Sequence, residues 1–340
     1  MPHPDIDNRT PFAFEPVFIA DEDLRPVVVT LIKATYDFDL QGGLQLAEEQ
    51  IPVNLTGEPW TDATVSSYKY EPEIALCKLA TDVVLIGHAQ PPQVGATQVD
   101  VGLRVGPVQK VARVFGERFW VLTDGGVSKS RVAALRPTPL MWENAFGGLD
   151  EPHSTPELTQ LEPRNPVGTG FGKPLTKNGD RLRLPSIEDP SQLIGEYGAV
   201  VPPCGFGFTS PNWHPRAGFS GTYDERWNKG RKPMLPEDFD RRFFNAAPPG
   251  LVAPGYLQGN EEVVVLNTTL APRLAFRLPG VSPPQCRVAL RNQPDTELPT
   301  NLDTLIVNTD DQQLILLWRA YTLAAGGPHD VAAIEVASTN

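Results

Sequence analysis

Ile32-Lys33-Ala34-Thr35-Tyr36-Asp37-Phe38-Asp39-Leu40, followed by Gln41-Gly42-Gly43 and then Leu44-Gln45-Leu46, is the stretch that decides the fold. Ile32, Ala34, Tyr36, Phe38 and Leu40 alternate with Lys33, Thr35, Asp37 and Asp39. A period of two puts the apolar side chains on one face of a half-buried strand. The glycines supply the positive φ of a tight turn, and Leu44 and Leu46 resume the alternation, so the stretch predicts a hairpin.

The same pattern recurs on both sides of a long gap. Thr81–Ala89 is an apolar run suited to a central strand. Val99, Val101, Leu103 and Val105 alternate with Asp100 and Arg104, Gly106-Pro107 turns, and Val111–Val121 returns. Gly102 and Gly116 within these runs suggest bulges or a close backbone approach. Further on, Val263–Asn267, Arg273–Leu278 and Gln285–Leu290 read as short strands. Leu302–Asn308 and Gln313–Arg319 form a hairpin through Asp310-Asp311, and Ala333–Ala337 is a last strand. Successive hairpins without alternating helices predict a mainly β protein with an antiparallel, sandwich-like body. Its parts are an N-terminal β region at 10–122, a Pro/Gly-rich middle segment at 123–260 and a C-terminal β region at 261–337. The outer two pack together as one body or two adjoining ones, with the middle across them.

Three short helices are expected in that middle. Pro139–Phe146 starts on a proline and ends at Gly147. Thr222-Tyr223-Asp224-Glu225 matches a capping box, with Glu225 able to pair with Lys229 and Gly230 as terminator. Pro236–Phe244 offers the pairs Glu237–Arg241 and Asp238–Arg242 one turn apart, with Phe239 and Phe243 on one face.

The 340 residues carry 29 Lys and Arg against 41 Asp and Glu, a net charge of −12. That balance argues against a phosphate-binding basic stripe and against attachment to anionic lipid, so neither nucleic acid nor membrane is an expected partner. Hydrophobic residues at 40% suffice for a core. Proline, 36 residues, is about twice its average usage. The first residues have no basic and apolar signal pattern, and Cys77, Cys204 and Cys286 are odd in number and widely spaced. The expected compartment is a reducing cytoplasm.

Chemistry-bearing patterns are sparse. His3, His88, His153, His214 and His329 lack metal-ligand spacing, and phosphate-loop and dinucleotide motifs are missing, so no metal or cofactor is expected. Gly218-Phe219-Ser220-Gly221 resembles a nucleophile elbow with its second glycine misplaced. A hydrolase would use Ser220 or Cys204 with His214 or His88. A carbohydrate-binding sandwich would align Trp60, Trp120 or Trp213 on an open face. What exceeds expectation is a block of cations and rings in an acidic chain: Arg226, Trp227, Lys229, Arg231, Lys232, Arg241, Arg242, Phe243 and Phe244. Arginine and aromatic residues are enriched at protein–protein hot spots.

These residues also carry a resemblance. Tyr223-Asp224-Glu225-Arg226-Trp227, Arg231-Lys232-Pro233 and Leu235-Pro236-Glu237-Asp238-Phe239-Asp240-Arg241-Arg242-Phe243-Phe244-Asn245-Ala246-Ala247-Pro248 resemble the hallmark of a bacterial family of unknown function. Its genes sit in type VI secretion loci beside VgrG spike, PAAR tip and toxin genes. Further matching strings are Lys33–Asp37, Ser67–Pro72, Thr81–Ala89, Glu143–Gly148, Glu162–Gly168 and Trp213–Arg216. The resemblance implies a non-enzymatic adaptor or chaperone that binds a type VI effector, or its PAAR/VgrG carrier, and helps load it onto the spike. It carries no catalytic residues. The expected partner-binding residues are Trp213, Arg226, Trp227, Arg231, Arg241, Arg242, Phe243 and Phe244.

Overall fold

A computed structural model describes residues 4–62, 64–150, 154–155, 158–172, 174–291 and 294–338. His3 and His153 lie outside the described residues. The protein is mainly β, 38% strand against 6% helix.

The opening hairpin forms, but its long strand is buried on both faces rather than half-buried: Lys33 and Thr35, on the face expected to be wet, are 2% and 0% exposed. Pro26–Phe38 pairs antiparallel with Leu44–Leu46 through the register Phe38–Leu44, and Gly42 holds φ at +89°. A Cβ at Gly42 would lie 2.2 Å from the Ala275 carbonyl oxygen, so the turn needs glycine twice over. Pro26–Phe38 is the spine of a six-stranded sheet. Ala13–Ala20 flanks it on one side; on the other follow Gln313–Leu323, Asn301–Asn308 and Asp82–Ile86. The Asp310-Asp311 hairpin is present, with Asn308 opposite Gln313.

A five-stranded sheet runs Ile187–Glu188, Val108–Phe115, Gln98–Val105, Glu262–Leu266, Arg273–Arg277. A four-stranded sheet runs Asp5–Asn8, Val331–Ala337, Gln285–Leu290, Thr296–Leu298. Strands from 10–122 and 261–337 thus alternate within the same ladders. One hydrophobic cluster joins Phe12, Ile32 and Val101 to Val263, Leu316 and Ile334. The middle region adds Ile187–Glu188 to the five-stranded sheet and Arg181–Arg183 to a three-stranded one. The latter sits over a separate small core of Trp120, Phe146, Leu182, Leu184 and Ile194.

Several expectations fail, each for a tertiary reason. Asp82–Ile86 is fully buried, yet it ends its sheet rather than lying inside it. Chain segments cover its free edge: Val83 N–H donates to the Leu251 carbonyl and Leu85 N–H to that of Phe206. The return run to Val121 breaks at Gly116, where a Cβ would sit 2.1 Å from the Ala133 carbonyl oxygen. Val108–Phe115 and Phe119–Thr123 therefore belong to different sheets. Gly102 makes no bulge; its register with Val111 and Leu266 is continuous.

Pro139–Phe146 is not a helix. Thr138–Pro139 pairs with His88–Ala89, Trp142–Asn144 is one 3-10 turn, and Phe146–Gly147 pairs with Thr169–Gly170. Trp142 is pinned in the core by its indole N–H on the Phe208 carbonyl (2.8 Å), and local helix propensity yields to that contact. No helix among the described residues is long and apolar enough to cross a membrane.

Candidate functional site

The signature block begins with the only α-helix described, Glu225–Gly230. Its cap is Asp224, whose carboxylate accepts from Trp227 N–H at 2.9 Å; Thr222 instead donates to Asp238. The expected Glu225–Lys229 pair forms at 2.6 Å, with both side chains exposed. The third expected helix, Pro236–Phe244, shrinks to a 3-10 turn, Arg241–Phe244, because Asp240 is extended and caps it through Arg242 N–H. Neither one-turn ion pair exists. Arg241 reaches Glu22, Arg242 reaches Asp240, and Asp238 binds the Thr222 backbone and hydroxyl. The Arg242 hydrogen bond holds the Asp240 carboxyl below its usual range. Phe239 and Phe243 do meet, ring centres 5.6 Å apart.

The block divides into a bound half and a projecting half. Arg241 pairs with Glu22, and Arg231 pairs with Asp23 while its Nε donates to the Leu235 carbonyl. Both acids sit in the turn between Ala13–Ala20 and Pro26–Phe38. The Asn245 amide donates to the Ala80 carbonyl and to Asp82, and Ala246 N–H donates to Asp82. Phe244 packs on the Val17, Val27, Leu31 and Leu317 cluster. The Arg216 guanidinium lies over the Phe243 ring. Outward project Tyr223, Arg226, Lys229, Lys232 and Arg242. Tyr223 meets the half-buried Trp227 edge to face at 4.7 Å, and the indole N–H donates to the Met234 carbonyl. Arg242 lies over Phe219. A pocket of about 380 Å³ opens here, lined by Arg226, Trp227, Arg231 and Glu237.

One expected residue falls away. Trp213 is 3% exposed and packs edge to face on Trp142, so it is core rather than surface. The remaining seven cluster, although Arg241, Phe243 and Phe244 serve mainly to seat the block.

The matching strings meet one another in space. Asp82 bonds Asn245; Glu71 pairs with Arg216; Glu143 accepts from the Ser67 N–H and both Ser66 and Ser67 hydroxyls. Lys33 pairs with Glu73, and the buried Asn165 amide donates to the Trp142 and Phe146 carbonyls. These buried and part-buried polar joints fix the frame. Glu22 and Asp23 were not singled out in the sequence, because nothing local marks an acidic turn as a docking point for residues some 200 positions away.

The family described as "Uncharacterized protein conserved in bacteria (DUF2169)" matches residues 23–319. The chain belongs to this family. Neither a curated protein nor a solved structure matches it. In this DUF2169 chain the match takes in all the acidic and basic joints above except Glu22, which lies one residue outside it.

The groups for other chemistries are placed as follows. Ser220 donates its hydroxyl to the Ala217 carbonyl at 2.8 Å. Cys204 is buried, which pushes its thiol up to about 11, away from thiolate character at neutral pH. Cys204 and His214 do line one cavity of about 310 Å³ with Lys110, but among the described residues no histidine hydrogen-bonds Ser220 or Cys204. His88 is bound to Asp310 at 2.9 Å. Trp120 and Trp213 are buried, so the three tryptophans do not form an open stacking face. Among the described residues no group of three His, Cys, Asp or Glu is placed to hold a metal ion.

Proposed function

We propose that this DUF2169 protein is a non-enzymatic adaptor or chaperone that grips another protein. By its resemblance to products of type VI secretion loci, that protein is an effector or its PAAR/VgrG carrier, held for loading onto the spike. The observation that carries the reading is the divided signature block. Its second half is anchored to the sheets through Arg231–Asp23, Arg241–Glu22 and Asn245–Asp82, while Tyr223, Arg226 and Lys229 stand in solvent. A rigidly mounted surface of aromatic and cationic side chains loses little conformational entropy on binding. A small, polar-rimmed contact also suits a partner that must later be released.

Co-purification with the product of an adjacent toxin or PAAR gene tests the reading. Capture of one such protein, lost in Tyr223→Ala/Arg226→Glu at unchanged melting temperature, supports it. No complex, together with unimpaired toxin delivery after deletion of the gene, refutes it.

A further inference from the structure

Behind the anchored half of the signature lies a cavity of about 420 Å³ whose wall includes Lys78, Arg241, Asn301, Asp303, Arg319 and Tyr321. Three of these six are cations, in a chain of net charge −12. Among the described residues each has one carboxylate partner: Asp82 for Lys78, Glu22 for Arg241 and Asp303 for Arg319. Of those acids only Asp303 is in the wall. Its cations are therefore all ion-paired, two of them to acids set outside the wall.

Its wall also holds unused donors. Arg319 is 3% exposed. Its Nε bonds Asp303 and its Nη1 bonds the Glu73 and Ala75 carbonyls, but among the described residues Nη2 has no acceptor. A buried guanidinium N–H without an acceptor is unfavourable, and an oxygen that enters and reaches it by a small side-chain shift removes that penalty. At the rim, the Tyr321 hydroxyl accepts from Arg241 Nη1 at 2.9 Å, which leaves its own proton to donate. The half-exposed Asn301 amide makes no side-chain hydrogen bond among the described residues.

We propose that this cavity takes one carboxylate of a partner polypeptide, an acidic side chain or a C-terminus. The inference rests on the reading that the protein grips another protein, and adds the chemistry of the gripped group. The unused Arg319 Nη2 can give one carboxylate oxygen a charge-assisted hydrogen bond, with the Tyr321 hydroxyl and Asn301 amide as further donors. Asp303 in the same wall opposes any anion, and it opposes a doubly charged phosphate more strongly than a singly charged carboxylate. Arg241 ties the cavity to the signature, so one partner can span both.

Calorimetric titration of the full chain with acetyl-tetraglutamate amide and with acetyl-tetraglycine bearing a free C-terminus separates the two carboxylate sources. Inorganic phosphate serves as the dianion comparator. At least one peptide should saturate at one per chain, and Tyr321→Phe or Asn301→Ala should weaken it at least threefold at unchanged melting temperature. Arg319→Lys should abolish binding; should it fail to fold, the two rim variants decide. Three results each overturn the assignment: no saturable binding of either peptide at millimolar concentration, tighter binding of phosphate than of both peptides, or affinity untouched by the rim changes. Capture of the partner that survives Tyr321→Phe/Asn301→Ala removes this assignment alone and leaves the adaptor reading in place.

Discussion

Arg241 and Glu22, 219 positions apart, form a two-point ion pair: Nε to Oε1 at 2.6 Å and Nη2 to Oε2 at 3.1 Å. The pair replaces the local Glu237–Arg241 contact that helical spacing suggests. It turns a surface segment into a mounted one, since the same turn also takes Arg231 through Asp23, and its Glu22 carbonyl accepts from Leu235 N–H.

This pair should be measurable by a double-mutant cycle. Arg241→Ala and Glu22→Ala should each destabilise the chain by about 0.5–1.5 kcal/mol, discounted for the exposed guanidinium, with non-additivity on the order of 0.5–1 kcal/mol. Urea unfolding reads it. Strict additivity would mean that the two side chains do not act together.

The buried pairs should behave differently from the exposed ones. Asp82 is fully buried and serves Lys78, Asn245 and Ala246 N–H, so Asp82→Ala should cost about 3–5 kcal/mol. Asp303 and Arg319 are 1% and 3% exposed. Asp303→Leu alone should be as damaging as Asp82→Ala, whereas Asp303→Leu/Arg319→Met together should restore most of the loss, because no charge is left unpaired. A double variant weaker than either single one contradicts this.

Trp213 and Tyr223 should separate core from surface. Trp213→Ala removes a buried ring and should cost about 3–5 kcal/mol. Tyr223 is 50% exposed, so Tyr223→Ala should shift stability by no more than about 0.5 kcal/mol while reducing partner capture. Thermal unfolding alongside co-purification distinguishes the two.

Asp100 should contribute a pH-dependent increment. The Arg113 hydrogen bonds at 2.7 and 2.8 Å hold its carboxyl below the usual carboxylate range. The folded chain then binds fewer protons at this site than the unfolded chain. The stabilisation is complete above the ordinary aspartate pKa of about 3.9 and disappears as pH falls through the lower folded value. The stability gap between wild type and Asp100→Asn should thus be about 0.5 kcal/mol near neutrality, given the exposed pair, and close to zero in strong acid. A gap that widens on acidification reverses the assigned sign.

Where the sequence reading succeeded, the signal was local. Ile32–Leu46 alternates because each residue meets the same two environments in turn, and Gly42 marks the turn since few other residues hold a φ of +89°. The Asp310-Asp311 hairpin and the Glu225–Lys229 pair lie within a few residues of one another and were legible for the same reason. Ala13–Ala20 shows no clear alternation in the sequence: it is an edge strand interrupted by Pro16, and its burial pattern is irregular.

The failures share one cause. Pro139–Phe146 and Pro236–Phe244 have acceptable helix ends, but a helix of two turns gains too little from its own hydrogen bonds to resist a buried Trp142 or an Arg241 held by Glu22. Trp213 reads as an interface residue because composition cannot say whether a ring in a turn segment packs inward or outward.

The order of residues alone thus determined the β character, the main turns, the acidic balance and the block from Tyr223 to Pro248, all of which depend on contacts a few positions apart or on totals. The pairing of distant acids with that block, the burial of Trp213 and the cation-rich cavity at Arg319 came from three-dimensional packing. Those features depend on desolvation and on partners up to about 245 residues away, and a charge reveals neither its depth nor its counter-ion until the sheets close around it.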